Sequence, residues 1–425
     1  KNPTALKGDY KGGFKLTTEN NKFSLRLFSA IQFRYSFVQF DDMVKGNTED
    51  YSNFYTRRAR IWWDGHAYSP KFTYYFHLQL EPQGAVNLHD AWINYKFNDL
   101  FQIGLGRNKV PYSLEFLHSG FGLDGVDRTI FSGETDVDAG GGFSKWPGSN
   151  SGFPLSTTNA NTGFPTGGMA LFRSQGISIN GLKGGKDKPT FEYQVGVWNG
   201  RDKRARSNED DRHLYTARVG FHPLGQIDWL FCGDFAYTEK PKFSVWAAAY
   251  TESGLRTKDA AGASVTPYET EDTGYNLSAM FNFKNFSAEA EWSEESYDMD
   301  RNVAGVWDFD RGGWRFNLGY FIVPTRVQIV ARHSEVERMQ NPTAEKAKNS
   351  GLNLPQVWNG TKYVDALEKL LTETTAGVNF FFGAGHQHKL FFDVSLLTRQ
   401  FEPYNGFAPD DQEDKRFRSM LQFKF

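Results

Sequence analysis

The chain has 425 residues, 39% hydrophobic and 23% charged, with a formal net charge of -2. This near balance of charge gives no electrostatic basis for nucleic-acid binding. The single cysteine, Cys232, excludes an intrachain disulfide framework. No stretch of about 18 consecutive apolar residues occurs, so the sequence contains no candidate transmembrane helix. Aromatic residues reach 16%, which together with 42 glycines favours strands and tight turns.

The first regular element predicted along the chain is a long strand at 23–37. The chain starts at Lys1 without a methionine or the apolar stretch of a signal peptide, so we expect a mature, processed N-terminus. From residue 23 to residue 37 the odd positions are apolar apart from Ser29, and the even positions include Arg26 and Arg34. A period of two residues predicts a strand with one apolar and one polar face. Its length exceeds the usual strand length of about 5–6 residues.

The same alternation returns along the rest of the chain, at 72–81, 191–197, 275–283, 286–292, 314–322, 327–333, 376–382 and 416–425. A strand that crosses a bilayer needs only about 10 residues, of which every second one is apolar. A soluble β-sandwich with one wetted face also alternates. The aromatic residues on the apolar side, and the charges along the whole polar side, favour a transmembrane antiparallel β-barrel. The final segment ends on Phe425, like the terminal aromatic that outer-membrane proteins present to their assembly machinery.

Short and long links between these segments interleave, as periplasmic turns and extracellular loops do in outer-membrane barrels. The short links fall at 69–71, 98–100, 284–285, 324–325 and 383–386. The long links fall at 41–51, 112–168, 200–212, 253–272, 298–311, 338–371 and 399–414. Two further links, 181–189 and 222–241, are longer than expected for the periplasmic side. We predict a single barrel domain over 1–425, with about 16 strands and both termini in the periplasm.

The link at 112–168 is too long to be a simple connection, and loops of such length are usually functional. It is rich in Gly and Ser, so it lacks the apolar content for a core of its own. In porins of this size a third loop of this kind typically folds into the lumen and narrows it. We therefore expect 112–168 to be a constriction loop.

Several segments resemble the phosphate-selective porin O and P family. These are 55–60 (YTRRAR), 90–95 (DAWINY), 106–115 (GRNKVPYSLE), 193–200 (YQVGVWNG), 319–332 (GYFIVPTRVQIVAR) and 377–395 (GVNFFFGAGHQHKLFFDVS). The resemblance implies a 16-stranded barrel of the bacterial outer membrane, usually a homotrimer. It also implies passive diffusion of small hydrophilic solutes, often with a preference for inorganic anions such as phosphate.

Alternation also predicts which charges face the pore, and basic side chains outnumber acidic ones on the polar faces. Guanidinium groups match phosphate oxygens in pairs, so a spaced series of arginines suits anion passage. Asp90 matches a family motif near the solute path, but pairing with Arg58 or Arg60 is an alternative. Arg107 and Lys109 flank the entry to the constriction loop, where they either line the pore or anchor the loop. The predicted pore-lining or solute-binding residues are Arg26, Arg34, Arg58, Arg60, Asp90, Lys96, Arg107, Lys109, Arg128, Arg218, Arg315 and Arg332.

The constriction loop itself is acidic, which departs from the basic ligands that this loop supplies in phosphate-selective members of the family. Its predicted constriction acids are Asp124, Asp127, Glu134, Asp136 and Asp138. A charge ring at the narrowest point outweighs wall charges farther away. A weakly selective or cation-preferring pore is therefore one alternative to an anion-preferring porin. A second alternative is a barrel that serves as sheath or scaffold for a partner protein.

No enzyme motif is present: the sequence contains no G-x-S-x-G, no H-E-x-x-H and no Walker loop. His386 and His388 lie two residues apart beside a short turn, where a metal-binding pair is one alternative and solvated side chains are the usual outcome. The expected partners are outer-membrane lipid, lipopolysaccharide and small solutes, with the charged link at 201–212 a candidate for lipopolysaccharide contact. We predict no enzymatic activity, no cofactor and no metal site.

Overall fold

The computed structural model describes residues 5–10, 12–41, 43–44, 50–81, 86–133, 164–165, 167–185, 187–201, 208, 210–300, 308–350 and 355–425. Within these residues the chain is almost entirely β-structure, with two short α-helices, α1 (Leu114–Leu117) and α2 (Ala344–Ser350), and one 3₁₀ turn at Ile130–Ser132. No helix of the described residues is both long and apolar enough to cross a membrane.

The strands, in chain order, are β1 (Leu6–Tyr10), β2 (Phe14–Thr18), β3 (Ser24–Gln39), β4 (Tyr51–Ala67), β5 (Ser69–Glu81), β6 (Asn87–Asn98), β7 (Phe101–Lys109), β8 (Arg173–Gly185), β9 (Lys188–Trp198), β10 (Leu214–His222), β11 (Lys242–Lys258), β12 (Ser264–Phe283), β13 (Phe286–Asp300), β14 (Asp308–Val323), β15 (Val327–Glu337), β16 (Gln356–Trp358), β17 (Tyr363–Asp365), β18 (Leu367–Phe381), β19 (His388–Glu402) and β20 (Gln412–Lys424). The small β16–β17 hairpin forms a separate sheet.

Sixteen strands of the described residues, β3–β15 and β18–β20, form a closed antiparallel barrel. Each strand pairs with its sequence neighbour, and β20 closes the ring by pairing with β3 from Lys415↔Gln39 to Lys424↔Ala30. Beyond that point β2 takes over as the neighbour of β3, with Phe14↔Leu27 as its first pair, and β1 pairs with β2. The predicted strand count and antiparallel barrel are confirmed. The β1–β2 hairpin was not predicted.

The apolar face of each strand points outward and the polar face points into the ring. On β3, Phe33 is 48% exposed while its neighbours Gln32 and Arg34 are fully buried. A sandwich would bury the apolar face against a second sheet, whereas here that face is the exposed one. The exposed apolar surface is what a bilayer requires, and closure removes the unpaired strand edges that lipid cannot satisfy.

The links follow the predicted short and long pattern with one exception. Lys284 and Asn285 both have positive φ, as a two-residue hairpin turn needs. The predicted long link at 253–272 is wrong, because β11 and β12 continue as a paired hairpin and leave only 259–263 between them. The link at 223–241 contains no strand despite its strand-like composition.

Candidate functional site

The described first part of the long link at 112–168, residues 113–133, is called the inner segment here. It starts with α1, whose first backbone N–H groups at Leu114 and Glu115 donate to the Glu291 carboxylate of β13 at 2.8 and 3.0 Å. Ser113 Oγ accepts from the Phe116 N–H at 3.3 Å. The Glu291 carboxylate and the Ser113 hydroxyl thus accept hydrogen bonds from backbone N–H groups that have no partner within the first turn of a helix.

The inner segment also contacts inward-facing side chains from the other side of the ring. Gln32 of β3 donates to the Gly120 carbonyl at 3.1 Å, and Lys389 of β19 donates to the Leu123 carbonyl at 2.8 Å. The Ile130 N–H donates to Glu373 of β18 at 2.9 Å. Contacts to β3, β13, β18 and β19 by one short segment require that it lies on the inner side of the barrel wall.

Two of the predicted pore cations hold the inner segment together. Lys109 Nζ donates to the carbonyls of Phe116, Leu117 and His118 at 2.8, 2.9 and 2.7 Å. Arg128 donates to the Glu115 carbonyl at 2.9 Å and the His118 carbonyl at 2.7 Å. Both cations lie near the C-terminal end of α1, where the backbone carbonyls concentrate negative charge. The geometry therefore favours the anchoring alternative for Lys109.

Asp127 joins the inner segment to the β3 and β4 wall. Its carboxylate accepts from Arg34 at 2.6 Å, from Arg57 at 2.7 Å and from Arg58 at 2.7 Å. Burial raises the pKa of Asp127, but the charges of Arg57, Arg58 and Arg34 outweigh it and hold the pKa well below its ordinary value. Asp127 therefore stays ionised, and its charge is engaged by arginines.

Arg57 was not among the predicted site residues. The β3–β4 register runs from Gln32↔Arg58 directly to Phe33↔Thr56, so Arg57 is the extra residue of a β-bulge. The bulge lets Arg57 and Arg58 both point inward, where both are buried. Strict alternation assigned Arg57 to the lipid face. The signal that could have corrected this is the cost of placing a charge in hydrocarbon.

Two regions of inward charge contact the inner segment. One is an arginine cluster on β3, β4, β15 and β20 that contacts the described carboxylates of Asp127, Glu373 and Asp393. Its members are Arg34, Arg57, Arg58, Arg332, Arg416 and Arg418. The other region lies on β13 and β14, where the single guanidinium of Arg315 faces three carboxylates. These are Glu291 at 2.9 Å, Glu289 at 3.2 Å and Glu115 at 3.8 Å.

A second segment, residues 223–241 between β10 and β11, also lies inside the ring. The Ser119 N–H donates to the Leu230 carbonyl at 2.9 Å, and the Cys232 N–H donates to the Gly122 carbonyl at 2.8 Å. His386 Nε2 contacts the Cys232 carbonyl at 2.8 Å. His386 is thus buried, contrary to the expected solvated side chain. The inner segment and the second segment therefore meet in the interior of the barrel.

One open space among the described residues lies beside β6–β10. A cavity of about 400 Å³ has the neutral polar side chains of Asn94, Gln102 and Gln194 among its lining. Arg218 is its lining cation and pairs with Glu192 at 3.2 Å. A larger cavity of about 920 Å³ lies toward the second segment, and Glu192 and Trp229 line both spaces.

Arg218 has a distinctive environment on this wall. Its guanidinium carbon lies 5.6 Å from the ring centre of Trp229 and 5.1 Å from that of Trp246. Its Nε and Nη2 donate no hydrogen bond to any described residue. Aromatic faces hold the group in place while leaving donors uncommitted.

The remaining predicted wall residues occupy other surroundings. Arg26 pairs with Asp64 and is partly exposed, and Lys96 is exposed and pairs with Asp99 at 2.6 Å. Arg60 donates to Gln79 at 2.9 Å, and Arg107 donates to the His89 carbonyl at 3.2 Å.

Asp90 binds neither Arg58 nor Arg60 among the contacts of the described residues. Its carboxylate accepts from Arg173 of β8 at 2.8 Å and contacts His77 Nδ1 at 2.7 Å. The alternation of β8 did not reveal Arg173, which lies at the return of the constriction loop.

Two of the five predicted constriction acids, Asp124 and Asp127, lie within the described residues. Asp124 is buried, and burial together with Glu289 raises its pKa to about 7. Asp127 has the arginine partners described above. Glu134, Asp136 and Asp138 lie outside the described residues.

Comparison with known proteins agrees with this architecture. The family model "Phosphate-selective porin O and P" matches residues 30–139. The outer membrane channel DcaP of Acinetobacter baumannii is similar in structure, with a TM-score of 0.51 and 11% identity over 96% of this chain and 99% of that chain. In-vitro folded OmpT of Vibrio cholerae gives a TM-score of 0.50 and 8% identity over 95% and 98%. None of the curated proteins compared is significantly similar.

The fold is therefore that of a porin of the bacterial outer membrane. The resemblance to the phosphate-selective porin O and P family is confirmed by the match at 30–139. The match at 30–139 and the barrel fold both agree with a channel protein.

Proposed function

We propose that the protein is a passive diffusion porin for small hydrophilic solutes, that residues 112–168 form its constriction loop within the lumen, and that it prefers anions. The observation that carries the proposal is the position of the inner segment. Its carbonyls, N–H groups and Asp127 bond to inward side chains of β3, β13, β18 and β19. A segment so placed narrows the ring without filling it, because polar space persists beside β6–β10.

The solute path in this proposal follows the two cavities that share Glu192 and Trp229. Neutral amides on this wall can replace part of the hydration shell of a passing solute. The predicted residues Arg34, Arg58, Arg128, Arg315 and Arg332 each contact the inner segment, so their first role is structural.

The proposed anion preference rests on Arg218. This residue lines the cavity, is held between two tryptophans and keeps two nitrogens uncommitted to described residues. Fixed positive charge at a narrow passage favours anions through the local field. The acidic composition of the loop has less influence than its sequence implies, because Asp127 is engaged by three arginines.

The family resemblance further supports a homotrimer. It also supports an orientation in which the short links and both termini lie in the periplasm, while the long links face lipopolysaccharide. A sheath for a partner protein remains the second candidate. Against it, the protein's own inner and second segments already occupy part of the interior. A barrel that holds a partner needs that interior space.

The test is the reversal potential of the purified barrel in a planar bilayer under a salt gradient. The proposal expects a reversal on the anion side, and the Arg218→Gln variant should lower the anion-to-cation permeability ratio roughly fivefold, the factor for about 1 kcal/mol of lost local electrostatic energy. Arg212→Gln, which removes a partly exposed cation that pairs with Glu269 outside both cavities, is the matched control. A cation-side reversal in the unmodified protein would overturn the anion claim. A folded barrel that does not conduct would favour the sheath.

A further inference from the structure

The inner segment, the second segment and the barrel wall meet at three side chains of metal-ligating type. These are His118 of the inner segment, Cys232 of the second segment and Glu289 of β13. One ligand atom from each lies within 4.8 Å of the other two, and all three residues are buried. Each comes from a different part of the chain, so no short sequence motif marks the group.

The hydrogen bonding of His118 prepares one ring nitrogen for a cation. Its Nδ1 contacts the Trp229 carbonyl, which can only accept, so Nδ1 carries the proton. In the neutral ring the Nε2 lone pair then faces Glu289 Oε2 at 3.2 Å. Two acceptors at that distance need a positive species between them. A backbone carbonyl that fixes the outer nitrogen is the usual arrangement around a metal-binding histidine.

Glu289 supplies a second, independent observation. Glu289 is buried, with 4% of its surface exposed. Its Oε1 nevertheless accepts no hydrogen bond from a nitrogen or oxygen donor of the described residues. The neighbouring donor is the Cys232 thiol, a weak one. Arg315 does not balance the local charge alone, since it also faces Glu115 and Glu291. A buried carboxylate oxygen without a strong partner favours a bound cation.

We propose that His118, Cys232 and Glu289 bind a borderline-soft divalent metal ion, with Zn²⁺ as the first candidate. Nitrogen, sulfur and oxygen donors in one set are typical of Zn²⁺, and three protein ligands leave a fourth position for water. Tetrahedral coordination holds ligand atoms about 3.3–3.8 Å apart at bond lengths of about 2.0–2.3 Å. The present spacing of up to 4.8 Å would therefore have to shorten by about 1 Å on binding. The bound ion would fasten the second segment to the inner segment and to the wall.

Cobalt binding to the purified, chelator-treated barrel in detergent tests the proposal. We expect one Co²⁺ per chain, a thiolate-to-cobalt charge-transfer band in the near ultraviolet, and displacement of Co²⁺ by Zn²⁺. Cys232→Ser should abolish the band and weaken Zn²⁺ binding by at least about tenfold, the loss that even outer partners of a metal cause. Glu289→Gln should weaken Zn²⁺ binding by a similar factor. Glu294→Gln, on the exposed face of the same strand, should leave binding unchanged.

Heat-dependent gel mobility checks that each variant is folded. A folded wild-type barrel that binds neither ion, or binds Co²⁺ without the charge-transfer band, overturns the proposal and leaves a second proton on His118 as the bridging charge. Equal Zn²⁺ binding by Cys232→Ser overturns it as well. These readouts do not depend on conduction, so a non-conducting barrel that binds Zn²⁺ would sink the proposed function and leave the metal site standing.

Discussion

At the scale of single residues, the carboxylate of Asp127 is the main electrostatic link between the inner segment and the β3 and β4 wall. It is buried with Arg34, Arg57 and Arg58, all within 2.7 Å. Removing one partner of a buried ionic group is costly because the remaining charges stay buried. The three arginines prevent this carboxylate from presenting an open negative charge at that point.

Asp127→Asn should release the inner segment from the wall. Loss of the shared carboxylate is expected to cost about 3–5 kcal/mol of docking energy. Limited proteolysis of the detergent-solubilised barrel should then cut within 113–133, and single-channel conductance should rise. Asp99→Asn, which removes an exposed partner of Lys96, is the control and should change neither. Protease resistance equal to wild type would contradict this role of Asp127.

The docked inner segment should also resist acid. Because the folded pKa of Asp127 lies well below its ordinary value near 3.9, its stabilisation is present above that value and is lost only as pH falls through the folded pKa. Proteolysis of 113–133, measured with an acid-tolerant protease, should therefore stay slow from pH 7 to about pH 4. Release already between pH 7 and pH 5 would show that another group controls docking.

Sequence reasoning at this scale identified many of the inward arginines but missed Arg57 at a bulge, and Arg311 and Arg399 near strand ends that were assigned to links. Arg34 and Arg58 follow the alternation and point into the ring, where they pair with Asp127. Arg57 escaped because one bulge residue shifts the parity of its strand. The partner of Asp90 escaped because Arg173 is distant in sequence, and alternation carries no information about which strands face each other across a loop.

At the scale of elements, the outward apolar rows are the clearest prediction of the sequence. Tyr275, Leu277 and Phe281 alternate on β12, and Leu277 is 55% exposed although it is apolar. Period-two alternation predicts the face of a strand because successive side chains point to opposite sides. It does not predict where a strand ends, which is why the β11–β12 hairpin extends into the predicted link at 253–272.

Leu277→Arg should destabilise the inserted barrel by about 2–4 kcal/mol, the cost of arginine near the middle of the hydrocarbon. Equilibrium unfolding of the barrel from lipid vesicles measures this change in the free energy of unfolding. Thr266→Arg, at the exposed hairpin end of the same strand, should cost about 0–1 kcal/mol. Equal effects at both positions would contradict the assignment of this face to lipid.

The second segment is the element that alternation described least well. Its composition between 227 and 237 resembles a strand, yet its apolar residues Ile227 and Cys232 are buried inside the ring. Burial against the inner segment gives these residues apolar surroundings without sheet pairing. The alternation of single residues cannot distinguish this from an additional strand.

At the scale of the whole molecule, closure of the sheet and the inner and second segments together define the interior space of the barrel. The pairing of β20 with β3 encloses the polar faces, and the inner and second segments leave polar space beside β6–β10. The barrel and its outward face follow from local pattern. How the inner and second segments divide the interior of the barrel does not follow from local pattern. It depends on contacts between segments more than 100 residues apart, such as the hydrogen bond from Gln422 to the Phe121 carbonyl.

The most direct test of this account is the single-channel conductance of the folded, unmodified barrel in a planar bilayer. A lumen that is narrowed and still open predicts discrete steps of uniform size, which grow with salt concentration and become larger in Asp127→Asn. A barrel that is folded and inserted, yet gives no steps at any salt concentration, would contradict the claim that water passes between the inner segment and the β6–β10 wall.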